Sequence, residues 1–286
     1  MITTITSKQE FAVNPRFAEP TKKYIVTKAL SDSSHRKNFY NARNEADWTK
    51  VRIKQYVEEE SFQREKRIQE IVAEGPTQEN MLYALAWSDV TKTIIFPYAQ
   101  GGNVKRLLRK AGKCTPRQAV SIISPLCKAL SSLHSQEIVH RDVKLANILL
   151  QRTESSAYQV ILSDFDISWH KSLNHFDEKG IAYGTPFYMA PEVCRGEKSD
   201  PRSDIYAAGV TLYYLITGRP PFGGPGSKRV MIAHLKDQIP NAAQYNEQVT
   251  SGVQHVIERA LAKNLNQRYQ RAEDLEQELR TVVELP

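Results

Sequence analysis

The pattern of apolar positions along the chain changes near Gly101 and Gly102. Before these glycines, short runs rich in β-branched and aromatic residues predict strands at YIVTKAL, TKVRIKQY, YALAWSD and TIIFPYA. One charged stretch, roughly residues 61–73, has helical spacing instead. We therefore predict a small β-rich lobe over residues 23–99, carrying one helix and preceded by a polar extension over residues 1–22.

Beyond the glycines, apolar residues recur every three or four positions, which is typical of helices. Helical segments are predicted at 104–108, 116–135, 204–218, 254–262 and 272–283, and two short strands, ILLQ and VILSDF, precede the third of these. The predicted fold class is α+β, with a hinge near 97–102 and a larger, mainly helical lobe over residues 100–286. Clefts between such lobes are favoured ligand sites.

Composition narrows the class of protein. Lys and Arg number 39 against 32 Asp and Glu, a formal charge of +7, but no long basic run occurs, so we do not expect a nucleic-acid partner. The three cysteines have neither metal-site nor disulfide spacing, which favours a reducing compartment. Neither a signal peptide nor an apolar run long enough for a membrane span is evident, so the sequence predicts a cytoplasmic protein.

The densest group of chemically useful residues is HRDVKLANILL, residues 140–150. Asp142 can accept a hydroxyl proton, Lys144 can reach a phosphate, and Asn147 offers an amide oxygen to a hard divalent ion. The segment SDFD follows, and its Asp164 at a strand end is a natural magnesium ligand. Phosphoryl transfer needs this combination of an oriented hydroxyl, neutralised phosphate charge and bound metal.

These segments resemble those of eukaryotic-type Ser/Thr protein kinases, with HRDVKLAN as the catalytic loop and SDFD as the metal-binding DFG. GTPFYMAPE resembles the end of the activation segment, and SDIYAAGVTLYYLITGRPPF resembles the helix that follows it. The resemblance covers residues 23–283 and implies the two-lobed kinase fold. It also implies that Asp204 braces the catalytic loop and that Glu192 pairs with Arg268.

The resemblance further implies how ATP is bound. Asp142 and Lys144 would be catalytic, and Asn147 and Asp164 would hold Mg²⁺, for which Mn²⁺ can substitute. VRIK resembles the β3 VAIK motif, which makes Lys54 the phosphate contact with Glu65 as its partner and Glu70 as the alternative. The hinge residues around the adenine would be Phe96, Pro97 and Ala99.

Two departures from the family pattern are evident. The glycine-rich loop is replaced by LSDSSHRKNFYNA, in which Ser31 and Ser33 are expected to form a turn with side-chain hydrogen bonds and contact the nucleotide. DFG has become DFD, and Asp166 either stiffens the loop or adds a weak metal contact. Gln69, at a position that is usually apolar, raises the question of how tightly the helix packs.

Substrate class and control follow from the same segments. Lys144 and Thr185 indicate Ser/Thr specificity in protein substrates, with Tyr as the alternative. Arg141 precedes Asp142, so a phosphate on Ser172 is a candidate for ordering the activation segment, although a segment that needs no phosphate remains open. Oligomeric state is not indicated.

Three other functions are alternatives to a protein kinase. A pseudokinase that only binds partners is favoured by the missing glycines and by DFD, but a scaffold has no need to keep Lys54, Asp142, Asn147 and Asp164. A small-molecule kinase is disfavoured by GTPFYMAPE, because that segment forms a platform for extended protein substrates. Nucleic-acid binding would appear as salt-sensitive retention on DNA.

Overall fold

The computed structural model describes residues 12–13, 23–30, 37–75, 80–155, 157–176 and 183–284. The chain divides into two compact units. The first comprises Met1–Thr77 and Leu82–Gln100, and the second comprises Gln78–Met81 and Gly101–Pro286. Of the predicted extension over residues 1–22, only the two residues of a short strand are described.

The first unit is built on an antiparallel sheet with the spatial order β1-β5-β6-β4-β3-β2. Its strands are β1 (Ala12–Val13), β2 (Tyr24–Leu30), β3 (Lys37–Asn44), β4 (Lys50–Tyr56), β5 (Ala86–Ser88) and β6 (Thr93–Pro97). One face of this sheet carries a buried apolar cluster of Tyr24, Ala42, Val51, Ile53, Ala86 and Ile95. The four strands that the apolar runs predict are therefore all present.

Strand β3 was not predicted from the sequence, in which residues 30–42 were compared only with the glycine-rich loop. The strand begins at Lys37 and pairs with β2 on one side and β4 on the other. Its sequence, KNFYNARN, is too polar to show a clear alternation, although Ala42 and Asn44 are buried. Pairing on both edges supplies the order that the local pattern lacks. Ser31 and Ser33 lie outside the described residues.

The single helix of the first unit, α1 (Glu59–Glu74), begins with two glutamates that favour the positive end of the helix dipole. Phe62, Glu65, Gln69 and Val72 recur at helical spacing and are buried. The ring of Phe62 lies 5.8 Å from that of Tyr56 at the end of β4. The helix therefore turns a face that includes two polar residues toward the interior of the unit.

The second unit is mainly helical. Its helices are α2 (Val104–Ala111), α3 (Pro116–Ser135), α4 (Pro191–Cys194), α5 (Pro201–Thr217), α6 (Ser227–Lys236), α7 (Ser251–Ala260) and α8 (Ala272–Glu284), and its hairpin consists of β7 (Ile148–Arg152) and β8 (Tyr158–Leu162). Helix α6, which follows a Pro/Gly-rich turn, was not singled out from the sequence. The capping box of Thr115 with Gln118 explains why α3 begins at Pro116.

Helix α5 is buried over almost its whole length, which explains why its sequence is apolar all round. Asp200 caps its first turn together with Ser203, and Pro201 occupies the first helical position. Gly218 ends the helix in the left-handed conformation at φ 74°. Local sequence signals therefore fix where α5 begins and ends. The start of the helix places Asp204 in its first turn.

Two contacts define where the second unit begins. Leu162 donates its N–H to the carbonyl of Asn80 at 2.8 Å, which draws a segment predicted for the first lobe into the second unit. Gly101 donates to the carbonyl of Leu150 at 2.8 Å, and a Cβ at position 101 would stand 2.7 Å from the Leu150 Cβ. Glycine is required at 101 because two backbones approach closely there.

The predicted α+β class and two-lobed kinase fold are confirmed. Among the helices in the described part of the chain, none has both the length and the apolar character needed to cross a lipid bilayer.

Candidate active site

In the first unit, Lys54 on β4 and Glu65 on α1 form a buried ion pair. Lys54 Nζ donates to Glu65 Oε2, and the hydroxyl of Tyr56 donates to the same oxygen. The two charged side chains are 3% and 1% exposed, so their mutual attraction offsets part of the cost of withdrawing both charges from water. The alternative carboxylate, Glu70, instead pairs with Arg67 at 3.1 Å on a more exposed part of the helix.

Tyr56 was not identified from the sequence. It lies two residues after Lys54, so both side chains project from the same face of β4. The alternation of side chains along the strand, counted from Lys54, would have identified Tyr56 from the sequence. The Tyr56 hydroxyl and Lys54 Nζ both donate to Glu65, so both residues position its carboxylate.

Gln69 does not loosen helix α1. It is fully buried, its Nε2 donates to the carbonyl of Leu82 at 3.1 Å, and its Oε1 accepts from the N–H of Ala84 at 2.8 Å. The amide thus satisfies two backbone groups of the segment before β5 that would otherwise lie unpaired in the interior. These two hydrogen bonds answer the question that the polar residue raises about the packing of α1 in this unit.

The segment expected to hold adenine follows the end of β6. Phe96 is 4% exposed and is the Cα partner of Arg52 on β4, while Pro97 is the partner of Val51. Pro97 and Ala99 are half-buried. That Phe96, Pro97 and Ala99 contact the adenine stays a prediction.

In the second unit, Asp142 is the centre of a polar cluster. Lys144 Nζ donates to Asp142 Oδ2 at 2.5 Å, and Asn147 Nδ2 donates to the same oxygen at 2.9 Å. The hydroxyl of Thr185 donates to Asp142 Oδ1 at 2.7 Å and accepts from Lys144 Nζ at 2.9 Å. A carboxylate held by a cation and an amide, with an alcohol on its other oxygen, is arranged to accept a hydroxyl proton.

Asp204 on α5 holds the loop that carries Asp142. Its Oδ2 accepts from the backbone N–H of His140 at 2.8 Å, and its Oδ1 accepts from that of Arg141 at 2.9 Å. His134 Nε2 lies 3.0 Å from the Asp204 carboxylate, and this histidine was not identified from the sequence. Arg141 adopts φ 67°, a conformation costly for a residue with a side chain, and the two bonds to Asp204 stabilise it.

Asp164 follows β8 and also has a positive φ, 72°. Beside it, Phe165 is fully buried with its ring 5.2 Å from that of His140. Ser163 closes the loop by donating its hydroxyl to the carbonyl of Asn147 at 2.9 Å. The two predicted metal ligands, Asn147 and Asp164, are therefore tied to one another through Ser163.

The activation segment is described in part. Ser172 is exposed, and its hydroxyl lies 2.8 Å from His170 Nδ1, while the guanidinium of Arg141 lies 5.3 Å from the Tyr183 ring. A phosphate on Ser172 paired with Arg141 remains a prediction, because residues 177–182 lie outside the described part of the chain.

Glu192 and Arg268 form a buried two-bond ion pair, with nitrogen–oxygen distances of 2.8 and 2.7 Å. Ser203 on α5 donates to Glu192 Oε1 at 2.7 Å, an interaction not evident from the sequence. The guanidinium also donates to the carbonyl of Ala262 at 2.7 Å and lies over the Tyr206 ring. The pair therefore links the end of the activation segment to α5 and to the loop before α8.

Comparison with known proteins agrees with this geometry. A model of the protein kinase domain matches residues 18–279. The serine/threonine-protein kinase PrkC of Bacillus subtilis is 32% identical over 203 residues, covering 71% of this chain and 31% of PrkC. PknB of Mycobacterium tuberculosis is 35% identical over 189 residues, covering 65% of this chain and 29% of PknB. The chain thus spans less than a third of the length of these curated relatives. Because the domain model spans nearly the whole chain, this chain belongs to the protein kinase domain family.

Proposed function

We propose that this chain is a Ser/Thr protein kinase that transfers the γ-phosphoryl group of ATP to Ser and Thr hydroxyls of proteins, its own included. The observation that carries the proposal is the Asp142 cluster, where an alcohol already donates to the carboxylate and accepts from Lys144. A substrate Ser or Thr hydroxyl has the same donor and acceptor properties as Thr185. The printed names of PrkC and PknB agree with this activity.

The chemistry follows from the donors and acceptors. As the substrate oxygen bonds to the γ-phosphorus, the bond from that phosphorus to the β–γ bridging oxygen breaks, and its electron pair leaves with ADP. Asp142 accepts the hydroxyl proton, and Lys144 offsets negative charge on the transferred group. Lys54, oriented by Glu65, is assigned to the nucleotide phosphates, and Phe96, Pro97 and Ala99 to the base.

The donor set suits a divalent cation. Asn147 donates its Nδ2 to Asp142, so its acceptor atom Oδ1 is the amide atom that could bind a metal. Asp164 would add a carboxylate oxygen. Both are hard oxygen ligands of the kind Mg²⁺ and Mn²⁺ take. When bound, the metal neutralises phosphate charge, and Asn147 and Asp164 are the residues that would hold it.

The test is phosphate transfer from labelled ATP to a generic basic protein in the presence of magnesium. Asp142→Asn keeps the shape of the side chain but cannot accept the proton, so we expect transfer to fall by roughly 10²- to 10⁴-fold. Asp237→Asn is the matched control, because Asp237 is a surface carboxylate paired with Arg229. Identification of the labelled amino acid separates Ser/Thr from Tyr transfer.

Equal transfer by wild type and Asp142→Asn would contradict the assignment of Asp142. Nucleotide binding without any transfer to the substrate or to the chain itself would indicate the pseudokinase alternative.

A further inference from the structure

Arg52 projects from the sheet face that carries Lys54. Val51 and Ile53 belong to the apolar cluster on the opposite face, and side chains along a strand alternate between faces. Arg52 and Lys54, two residues apart on β4, therefore share one face, and Lys54 uses it to reach Glu65.

The cross-strand neighbours place Arg52 beside the segment expected to bind the base. Its Cα partners are Phe96 on β6 and Asn41 on β3. Its guanidinium carbon lies 5.6 Å from the centroid of the Tyr98 ring, between the proposed base contacts Pro97 and Ala99. Arg52 thus extends along the sheet toward residues 97–99.

One polar atom of Arg52 is left unsatisfied by its surroundings in the part of the chain that the structure describes. Within the described residues, Arg52 Nε and Asn41 Oδ1 are buried and have no hydrogen-bond partner. Burial lowers the pKa of the Arg52 guanidinium, which reflects the cost of withdrawing its charge from water. A donor and an acceptor left unpaired on directly opposed strand positions are expensive unless a further contact uses them.

We infer that Arg52 is a nucleotide-binding residue whose guanidinium plane stacks on the purine base, with Asn41 Oδ1 accepting from Arg52 Nε to hold the plane. This inference rests on the proposed function, since Lys54 and residues 97–99 mark where the nucleotide lies. A guanidinium is planar, stacks on aromatic faces and stays charged, so it combines base stacking with attraction to the phosphates. It offers an alternative to the glycine-rich loop as a source of nucleotide affinity.

The experiment is calorimetric titration of the full chain with Mg-ATP. Arg52→Ala removes plane and charge, and we expect the Kd to rise roughly 5- to 30-fold. Arg52→Lys keeps the charge but not the plane, and we expect it to resemble Arg52→Ala. Asn41→Leu removes only the acceptor, and we expect a rise of roughly 2- to 10-fold. Lys50→Ala is the control, because Lys50 is an exposed cation 5.8 Å from the same Tyr98 ring.

The outcomes separate the inference from the proposed function. If Arg52→Ala binds Mg-ATP as tightly as wild type or more tightly, or if Arg52→Lys matches wild type, stacking is overturned, whereas wild-type transfer leaves the kinase assignment intact. An unchanged Kd for Asn41→Leu removes the role of Asn41. If wild type binds Mg-ATP in an Arg52-dependent way but transfers nothing, only the kinase assignment fails. Absence of Mg-ATP binding by wild type overturns both, and melting temperatures show that each variant is folded.

Discussion

Two glutamates on helix α1 differ in what surrounds them. Glu65 is buried and accepts from Lys54 and Tyr56, whereas Glu70 is partly exposed and pairs with Arg67. The sequence made both candidates for the partner of Lys54. Only their directions from the helix axis distinguish them, and five residues on a helix of 3.6 residues per turn rotate a side chain well away from its starting face.

The buried pair makes a prediction about stability. Glu65→Gln breaks the buried ion pair with Lys54, and because the loss of one partner of a buried pair is strongly destabilising, we expect the free energy of unfolding to fall by about 3 kcal/mol. Glu70→Gln, which breaks a partly exposed pair, is expected to change it by less than about 1 kcal/mol. Urea denaturation of both variants measures the difference. Equal losses would show that the Lys54–Glu65 pair gains nothing from its charges.

At the scale of elements, helix α1 is joined to the segment before β5 by the side chain of one residue. Gln69 satisfies the carbonyl of Leu82 and the N–H of Ala84, groups that no strand ladder reaches. A polar residue inside a helix interface appears unfavourable from its sequence context alone. Its two backbone partners reverse that conclusion, because a buried amide that is fully hydrogen-bonded costs little.

Leucine has a similar volume to glutamine, but Gln69→Leu removes the hydrogen bonds to the Leu82 carbonyl and the Ala84 N–H. We expect the free energy of unfolding to fall by about 2 kcal/mol, since each buried unsatisfied group costs on the order of 1–3 kcal/mol and water can partly compensate. Gln63→Leu on the same helix is the control, because Gln63 bonds to the exposed carboxylates of Glu59 and Asp89. A stabilised Gln69→Leu variant would mean that apolar packing is worth more here than the amide contacts. Chemical denaturation of the two variants decides between these results.

At the scale of the whole molecule, the second unit is organised around α5, whose first turn contacts two separate parts of the site. Asp204 holds the loop before Asp142, and Ser203 contacts Glu192, which is held by Arg268. Residues far apart in sequence are thus connected through adjacent positions on one buried helix. This arrangement explains how α5 fixes both the loop before Asp142 and the end of the activation segment at Glu192.

A buried histidine near α5 predicts how stability depends on pH. His234 on α6 lies 2.8 Å from the Tyr206 hydroxyl, and burial, with a smaller contribution from the nearby Lys263 cation, lowers its pKa to about 4 from 6.5. Between about pH 6.5 and pH 4 the unfolded chain takes up a proton that the folded chain does not. The free energy of unfolding therefore falls as pH falls through that window, by about 3 kcal/mol in total from this group.

The measurement is urea denaturation at pH 7.5 and pH 4.5. His234→Gln is expected to be less stable at pH 7.5 and to lose less stability on acidification than wild type. His255→Gln is the control, because the His255 side chain is 68% exposed and should leave the pH dependence unchanged. An identical pH dependence for His234→Gln and wild type would refute the assignment to His234.

The sequence alone determined the fold class and the candidate catalytic residues. Asp142, Lys144 and Asn147 lie within six consecutive residues, and Asp164 follows closely. Their spacing can therefore be recognised in the sequence before the fold is known. Strands β2, β4, β5 and β6 of the first unit and most helices of the second were evident because their apolar periods are strong. Strand β3 was not, because its polar sequence is ordered by partners on both sides.

Tertiary structure decided the relations between distant residues and between faces. The assignment of Lys54 to Glu65, the roles of Tyr56 and Gln69, and the position of Arg52 beside Phe96 all depend on which strands pair and which side of an element faces inward. Sequence records the identity of a side chain but not its neighbour, because the same arginine or glutamine is a solvated surface group or a buried contact according to the elements packed around it.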